Sequence, residues 1–286
     1  MAVGLVLAHG ALRLALQPDL GGCIAGLWWG DVPVLRSTPA ASLCSVRHSA
    51  CYTLVPYSNR IAQAQLHWAD AVYPLSPNFA PEAHAIHGVG WERTWEVMAV
   101  SGTSATLRYA HEPNAAWPFA FNCEQTFLLD DQCVAMTLQV TNLAPHPAPA
   151  GLGWHPFFVK RPGSQVRFDA EGRWAMSQDK LPTVLQASAG LDCACQALEI
   201  DHCFDGWQGT LHLLDDQLHT QVQSSLSHLV VFTHPSKDFI AIEPVSHVNN
   251  ALGVVRPLDA LVALGVRVLQ PQAATTAWMQ LKIKPI

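Results

Sequence analysis

FNCEQTFLLDDQCVAMTLQV, residues 121–140, contains the clearest structural signal in the chain. In its second half, Met136, Leu138 and Val140 alternate with more polar neighbours. A period of two is typical of a β-strand with one buried face. The run Asp130–Gln132 between the two halves supplies turn-forming residues, so the segment predicts a β-hairpin.

The same alternation recurs along the chain, as in Leu12, Leu14 and Leu16. Turn-forming pairs such as Gly21-Gly22 separate the apolar segments, and no long segment has the period of an α-helix. We therefore predict an all-β fold, a large antiparallel β-sandwich of many strands in a single domain spanning residues 1–286. Further strands are predicted over residues 103–109, 121–129, 166–168, 229–233, 239–245 and 277–283.

The composition excludes several classes of partner. The chain has 286 residues, of which 50% are hydrophobic, and this is ample for a well-buried core. Only 13% of the residues are charged, and the formal net charge is -6. A sparsely charged acidic chain without a basic run is not expected to bind nucleic acid or an anionic membrane.

Targeting and redox features predict a cytoplasmic protein. Residues 1–10 are mildly apolar but lack a positively charged start, so we predict a first β-strand rather than a signal peptide. No window is apolar for the length of a membrane-spanning helix. The eight cysteines are scattered, which favours free buried thiols. His84 and His87 have no third ligand at a suitable spacing, so no metal site is predicted.

Two apolar segments each contain one ionisable residue that is followed directly by proline. They are residues 153–158, with His155, and residues 239–245, with Glu243. A charge in an apolar strand costs free energy unless it is paired or functional. Proline also restricts the preceding residue to an extended backbone. His155 and Glu243 are therefore a candidate acid–base pair.

Further polar clusters complete a recognisable set. In chain order the set reads PYSNRI at 56–61, HGVGW at 87–91, GWHPFF at 153–158, DHCF at 201–204 and IEPVS at 242–246. Together these segments resemble the aldose 1-epimerase (galactose mutarotase) family. The resemblance implies a β-supersandwich and a cofactor-free reaction that interconverts the α and β anomers of a free aldose.

The resemblance also implies roles for individual residues. Glu243 matches the general base of the family and His155 its general acid. The expected substrate-binding residues are Asn59, Arg60, His87, Asp201 and Trp91. Trp91 or Trp154 would offer the sugar a flat apolar face. The chain departs from many galactose-acting members at Leu229–Phe232, where those members have a glutamine, so the choice of sugar stays open.

The chemistry of mutarotation explains why such a pair is needed. A base takes the proton of the C1 hydroxyl, an acid protonates the ring oxygen, and both groups must converge on one carbon. A free imidazole is mostly neutral at pH 7, with a pKa of about 6.5. We expect the neighbouring carboxylate to raise the pKa of His155 and so to keep it protonated.

Other interpretations remain at this point. Arg60 could pair with a structural carboxylate, His87 could brace its glycine-rich loop, and Asp201 could be a turn residue. The chain could be a non-catalytic sugar-binding protein, acting as a monomer or a homodimer. It could also act on a sugar phosphate or sulfonate, with cations drawn from Arg47, Arg93, Arg161 and Lys237. A glycoside hydrolase is disfavoured because only one carboxylate is well placed.

Overall fold

The computed structural model describes residues 4–286, and these residues are almost entirely β-structure. One short helix, α1, spans Leu258–Ala263, and 3₁₀ turns lie at Ala40–Ser42, Val46–His48, Ala62–Ala64 and Gly90–Glu92. The strands are β1 Leu5–His9, β2 Leu12–Gln17, β3 Cys23–Trp29, β4 Val32–Pro33, β5 Thr53–Leu54, β6 Arg60–Ile61, β7 Gln65–Trp68, β8 Ala71–Pro74, β9 Ala85–Ile86, β10 Glu96–Val100, β11 Ser104–His111, β12 Phe121–Leu129, β13 Cys133–Asn142, β14 Ala148–Ala150, β15 Gly153–Trp154, β16 Phe157–Val159, β17 Gln165–Phe168, β18 Gly172–Met176, β19 Pro182–Ala187, β20 Leu191–Ala194, β21 Ile200–Asp205, β22 Thr210–Leu214, β23 Leu218–Ser224, β24 His228–Thr233, β25 Phe239–Val245, β26 Arg267–Leu269 and β27 Ala274–Pro285.

Two large antiparallel sheets form the body of the protein. The first has nine strands in the order β10-β11-β12-β13-β27-β23-β22-β17-β20. The second has eight strands, in the order β19-β18-β21-β24-β25-β15-β5 with β16 paired to β25. Side chains from both sheets, such as Leu138 and Ile242, belong to one main apolar cluster. The predicted all-β antiparallel sandwich is therefore confirmed.

The hairpin predicted at residues 121–140 is formed by β12 and β13. Phe127 lies opposite Met136, and both side chains are 1% exposed. The Asp130 carboxylate accepts the backbone N–H of Cys133 at 2.9 Å, which closes the turn between the strands. Alternation in the sequence thus becomes alternation between core and solvent.

Strand β25 determines where the polar site forms. It is buried along its whole length, which is typical of a central strand covered on both faces. Ile240 and Ile242 pack into the main cluster between the two large sheets. Side chains alternate across a strand, so Glu243 shares the opposite face with Ala241 and Val245, which belong to a second, smaller cluster.

The remaining sequence-level expectations have mixed outcomes. The first strand is present at Leu5–His9, and residues 1–3 lie outside the described part of the chain. All eight cysteines are free, and five of them are buried, but Cys44 is exposed and Cys133 and Cys193 are half-buried. From residue 4 to the C-terminus, no helix is long and apolar enough to cross a membrane.

Candidate active site

A cavity of about 300 Å³ opens on the face of the eight-stranded sheet that carries Glu243. The structure brings six of the seven predicted site residues to its wall: Asn59, Arg60, His87, His155, Asp201 and Glu243. These residues come from segments spread over about two thirds of the chain, and antiparallel pairing around β25 collects them. Glu243 lies opposite Val230 on β24, and Asp201 on β21 lies opposite Phe232 on β24.

The predicted acid–base pair is in direct contact. Nε2 of His155 lies 3.0 Å from Oε1 of Glu243. The two residues are 7% and 2% exposed. Within residues 4–286, neither Nδ1 of His155 nor Oε2 of Glu243 has a hydrogen-bond partner. Buried polar atoms are usually satisfied, and these two belong to residues of the cavity wall, where a ligand can supply their partners.

Aromatic rings hold the imidazole of His155 in place. The ring stacks on Phe157 with centroids 4.3 Å apart and lies 4.8 Å from the ring of Tyr52. The backbone N–H of His155 donates to the carbonyl of Tyr52 at 2.9 Å. The orientation of the imidazole is therefore fixed by ring contacts and by a hydrogen bond of the His155 backbone.

Protonation of the pair differs from the sequence-based expectation. The pKa of His155 is lowered to about 3, mainly by burial and to a lesser extent by the positive charge of Arg36. Burial raises the pKa of Glu243 well above its usual value, and Asp201 adds to the rise. The expectation that the carboxylate raises the histidine pKa is wrong, because loss of hydration is the largest influence on the ring. Both shifts favour a neutral pair with its single proton on Glu243.

His87 and Asn59 lock each other through their backbones. The N–H of Asn59 donates to Nδ1 of His87 at 3.2 Å, and the N–H of His87 donates to the Asn59 carbonyl at 2.9 Å. Both residues have positive φ, 55° and 62°, a strained conformation that is common at functional sites. With Nδ1 accepting, the proton of the neutral ring lies on Nε2. Burial lowers the pKa of His87 well below its usual value, with His155 adding to the effect, so His87 is a neutral donor.

Gly88 permits this arrangement. Its φ is +73°, and a Cβ placed there would lie 2.1 Å from the carbonyl oxygen of Val55. Only glycine allows the loop to pass so close to the neighbouring backbone. His84 serves another part of the loop, since its Nδ1 accepts the N–H of Gln63 at 3.0 Å.

Arg60 pairs with a carboxylate and also lines the cavity. Its Nε and one terminal nitrogen donate to the two carboxylate oxygens of Glu82 at 2.8 and 2.7 Å. Its backbone N–H donates to Oδ1 of Asn59 at 2.9 Å. Both Arg60 and Glu82 line the cavity, so the ion pair is part of the wall. Glu82 was missed because it follows turn-forming residues in a loop without any periodic pattern.

The aromatic wall differs from the predicted one. Trp91 is 1% exposed, donates its indole N–H to the Gly88 carbonyl at 3.2 Å, and packs behind Tyr52. Trp154 is fully buried, and its indole nitrogen lies 3.3 Å from Gln125. Neither tryptophan lines the cavity. The rings that do line it are those of Tyr52, Phe79, Phe157, Phe232 and Phe239.

Two further arginines, Arg36 and Arg47, line the cavity. Arg47 was among the cations considered from the sequence, whereas Arg36 was not. Arg93, Arg161 and Lys237 are absent from the wall, and Arg161 pairs with Asp215 at 2.7 Å. The wall at Phe232, within the segment where a glutamine is expected in many galactose-acting proteins, is apolar.

Comparisons with known proteins agree with the fold. YphB, an uncharacterized protein of Escherichia coli strain K12, is 27% identical over 97% of this chain and 98% of its own length. A structure from Escherichia coli K12, provisionally described as an aldose 1-epimerase, has 26% identity, a TM-score of 0.89 and 99% coverage of both chains. A galactose mutarotase-like protein from Clostridium acetobutylicum shares the fold, with a TM-score of 0.84 at 18% identity over 98% of this chain and 95% of its own.

The family assignment rests on a match over most of the chain. The sequence profile of the aldose 1-epimerase family matches residues 5–264. That span contains every segment from which the cavity wall is built. The chain belongs to the aldose 1-epimerase family.

Proposed function

We propose that this protein is a mutarotase, which interconverts the α and β anomers of a free aldose. The observation that carries the proposal is the 3.0 Å contact between Glu243 and His155 inside a cavity of sugar size. A carboxyl and an imidazole in contact present one proton donor and one proton acceptor to the same small volume.

The proton balance of the reaction fits the pair. Glu243 takes the proton of the C1 hydroxyl while His155 gives a proton to the ring oxygen, and the C1–O5 bond breaks. The open-chain aldehyde then rotates about C1–C2, and the same two transfers in reverse close the ring on its other face. The pair holds one exchangeable proton throughout, so no net proton is consumed.

Burial of the pair supports the ring-opening step. After the two proton transfers, Glu243 is protonated and His155 is neutral. That is the form that both pKa shifts favour. The same neutral form is the resting state of the empty site, so the proton must pass from Glu243 to His155 before ring opening. The free energy spent on that transfer is recovered when the two transfers with the sugar restore the neutral pair.

The surrounding residues bind the sugar hydroxyls. The neutral His87 ring offers its Nε2–H, Asp201 accepts hydrogen bonds, and the Arg60–Glu82 pair offers both kinds of partner. The phenyl and phenol rings of the wall cover the apolar C–H faces of the sugar. Because all eight cysteines are free thiols, the protein is suited to a reducing compartment such as the cytoplasm.

Anomer exchange measured by NMR on equilibrated galactose and glucose tests the proposal. Wild-type protein should accelerate exchange above the uncatalysed rate, and Glu243→Gln should lose at least about 100-fold, the scale of a general base. Near-normal turnover in that variant would refute the role of Glu243. Sugar binding without any acceleration would identify a non-catalytic sugar-binding protein.

A further inference from the structure

The charges of the cavity wall do not cancel. Arg60 is neutralised by its two contacts with Glu82, and Asp201 has Lys180 at 3.4 Å. Over residues 4–286, neither Arg36 nor Arg47 has a carboxylate within 4.0 Å, the limit for an ion pair. The wall therefore has two cations that lack a direct anionic partner.

Arg36 is held rigidly. Its Nε and one terminal nitrogen donate to the Ser49 carbonyl at 3.2 and 2.7 Å, and the same terminal nitrogen donates to the Arg47 carbonyl at 2.8 Å. The guanidinium carbon lies 3.8 Å above the centroid of Phe157. These contacts occupy Nε and one terminal nitrogen of the guanidinium group. The second terminal nitrogen keeps both of its N–H groups for another acceptor. Asp238 influences Arg36 only at longer range.

The position of Arg36 relative to the reacting groups is defined by Phe157. The ring of Phe157 stacks on His155 at 4.3 Å and on Arg36 at 3.8 Å. Two such close partners must occupy opposite faces of one ring. Arg36 is therefore one aromatic layer away from the acid–base pair, which is far enough to contact a substituent of the sugar but not its anomeric carbon.

Arg47 completes the pair of cations from a more exposed position. Its guanidinium carbon lies 3.8 Å above the ring of Phe79, which also lines the cavity. Its one side-chain hydrogen bond in the described structure is a long contact of 3.5 Å to the Asn78 carbonyl. Most of its donors thus stay available to a ligand, and stacking keeps the planar group oriented.

We propose that Arg36 and Arg47 form a subsite for an anionic substituent of the sugar, remote from the anomeric carbon. The substrate class is then an aldose with a phosphate, sulfonate or carboxylate group. This inference rests on the proposed mutarotase function and specifies its substrate. Arginine recognises such planar or tetrahedral oxyanions by paired, charge-assisted hydrogen bonds. A neutral aldose would leave the half-buried Arg36 and the exposed Arg47 without an anionic partner.

Matched pairs of sugars test the subsite with the whole protein. The probes are glucose against glucose 6-phosphate and glucuronate, and galactose against galactose 6-phosphate and galacturonate. We expect a kcat/KM for at least one anionic sugar about 10- to 100-fold above its neutral counterpart, the range of one charged hydrogen-bonding group. The preference should shrink as salt is added, because salt screens a half-exposed cation.

Arg47→Gln is the decisive variant because Arg47 makes few structural contacts. It should remove most of the preference for the anionic sugar, so that kcat/KM becomes similar for the anionic and neutral members of a pair. Arg13 is a matched control, since it also stacks on an aromatic ring, Trp28, at 4.0 Å but does not line the cavity. Arg13→Gln should keep the preference. Arg36→Gln loses contacts to two carbonyls, so Arg36→Lys, which keeps the charge, is the companion variant.

The outcomes separate the two proposals. Equal kcat/KM for both members of every pair would overturn the anion subsite and leave the mutarotase standing. If no sugar is turned over, calorimetric titration with glucose 6-phosphate, glucuronate and glucose still decides the subsite. Tighter binding of an anionic sugar that Arg47→Gln abolishes would support it, and equal binding would overturn it.

Discussion

Replacing Glu243 with glutamine is expected to make the stability of the protein fall in mild acid. In an unfolded chain the imidazole has a pKa of about 6.5, whereas burial lowers the pKa of His155 to about 3 in the folded protein. Between those values the unfolded state binds the extra proton, so the folding free energy contributed by His155 is lost as pH falls. From about pH 7 to about pH 5 this loss amounts to about 2 kcal/mol.

In the wild-type protein Glu243 offsets that loss. Its pKa is raised well above the usual value, so the folded carboxyl keeps a proton that the unfolded carboxyl releases above about pH 4.3. The pair then binds one proton in both states, and its contribution to stability is flat between about pH 4.3 and pH 6.5. Above that range the unfolded histidine is neutral, so wild-type stability should fall as pH rises toward the folded pKa of Glu243.

Urea unfolding of both proteins at about pH 5, 6, 7 and 8 measures the difference. Between about pH 7 and pH 5, the free energy of unfolding of Glu243→Gln should fall by about 2 kcal/mol more than that of wild type. The variant should also lack the fall in stability that wild type shows above about pH 7. Glu96→Gln, which changes an exposed carboxyl paired with Arg108, is the control and should parallel wild type. Identical pH profiles for wild type and Glu243→Gln would show that the proton is not held by Glu243 and refute the reasoning.

Two further changes have defined outcomes. Glu82→Ala leaves the Arg60 guanidinium without its two carboxylate contacts, so kcat/KM for anomer exchange should fall about tenfold. Circular dichroism should show that the fold is retained. Unchanged kinetics would show that the ion pair does not contribute to substrate binding. Leu138→Ala, at a fully buried position of β13, should lower the free energy of unfolding by about 2–5 kcal/mol in urea. Leu128→Ala, at a 55% exposed position of β12, should change it by less than about 0.5 kcal/mol, and equal losses would contradict the assigned strand faces.

Periodicity and local chemistry predicted much of the fold and the centre of the site. Alternation in β13 and the apolar run of β25 produce strands because burial of one or both faces selects the register. His155 and Glu243 could be found because each is an isolated ionisable residue in an apolar strand. The sequence resemblance added Asn59, Arg60, His87 and Asp201, which also line the cavity.

What the sequence did not predict depends on contacts between distant segments. Glu82 and Arg36 have no distinctive neighbours in the chain, and only the folded structure brings them to the cavity. Trp91 looked suited to a sugar platform, but the largest apolar side chains gain most from complete burial, and smaller phenyl rings form the wall instead. The pKa of His155 was mispredicted because burial cannot be counted from the sequence.

The alternation of β25 also has a consequence for how the protein tolerates change. Ile242 and Glu243 are adjacent in the chain but point into different clusters. Inserting or deleting one residue upstream in the strand would exchange their faces, placing a carboxylate in the main core and an isoleucine against His155. Such a molecule would lose its folding free energy and its chemistry in a single step. Because alternate residues of β25 face the core and the active site, a chain with the wrong register loses its stability and its activity together.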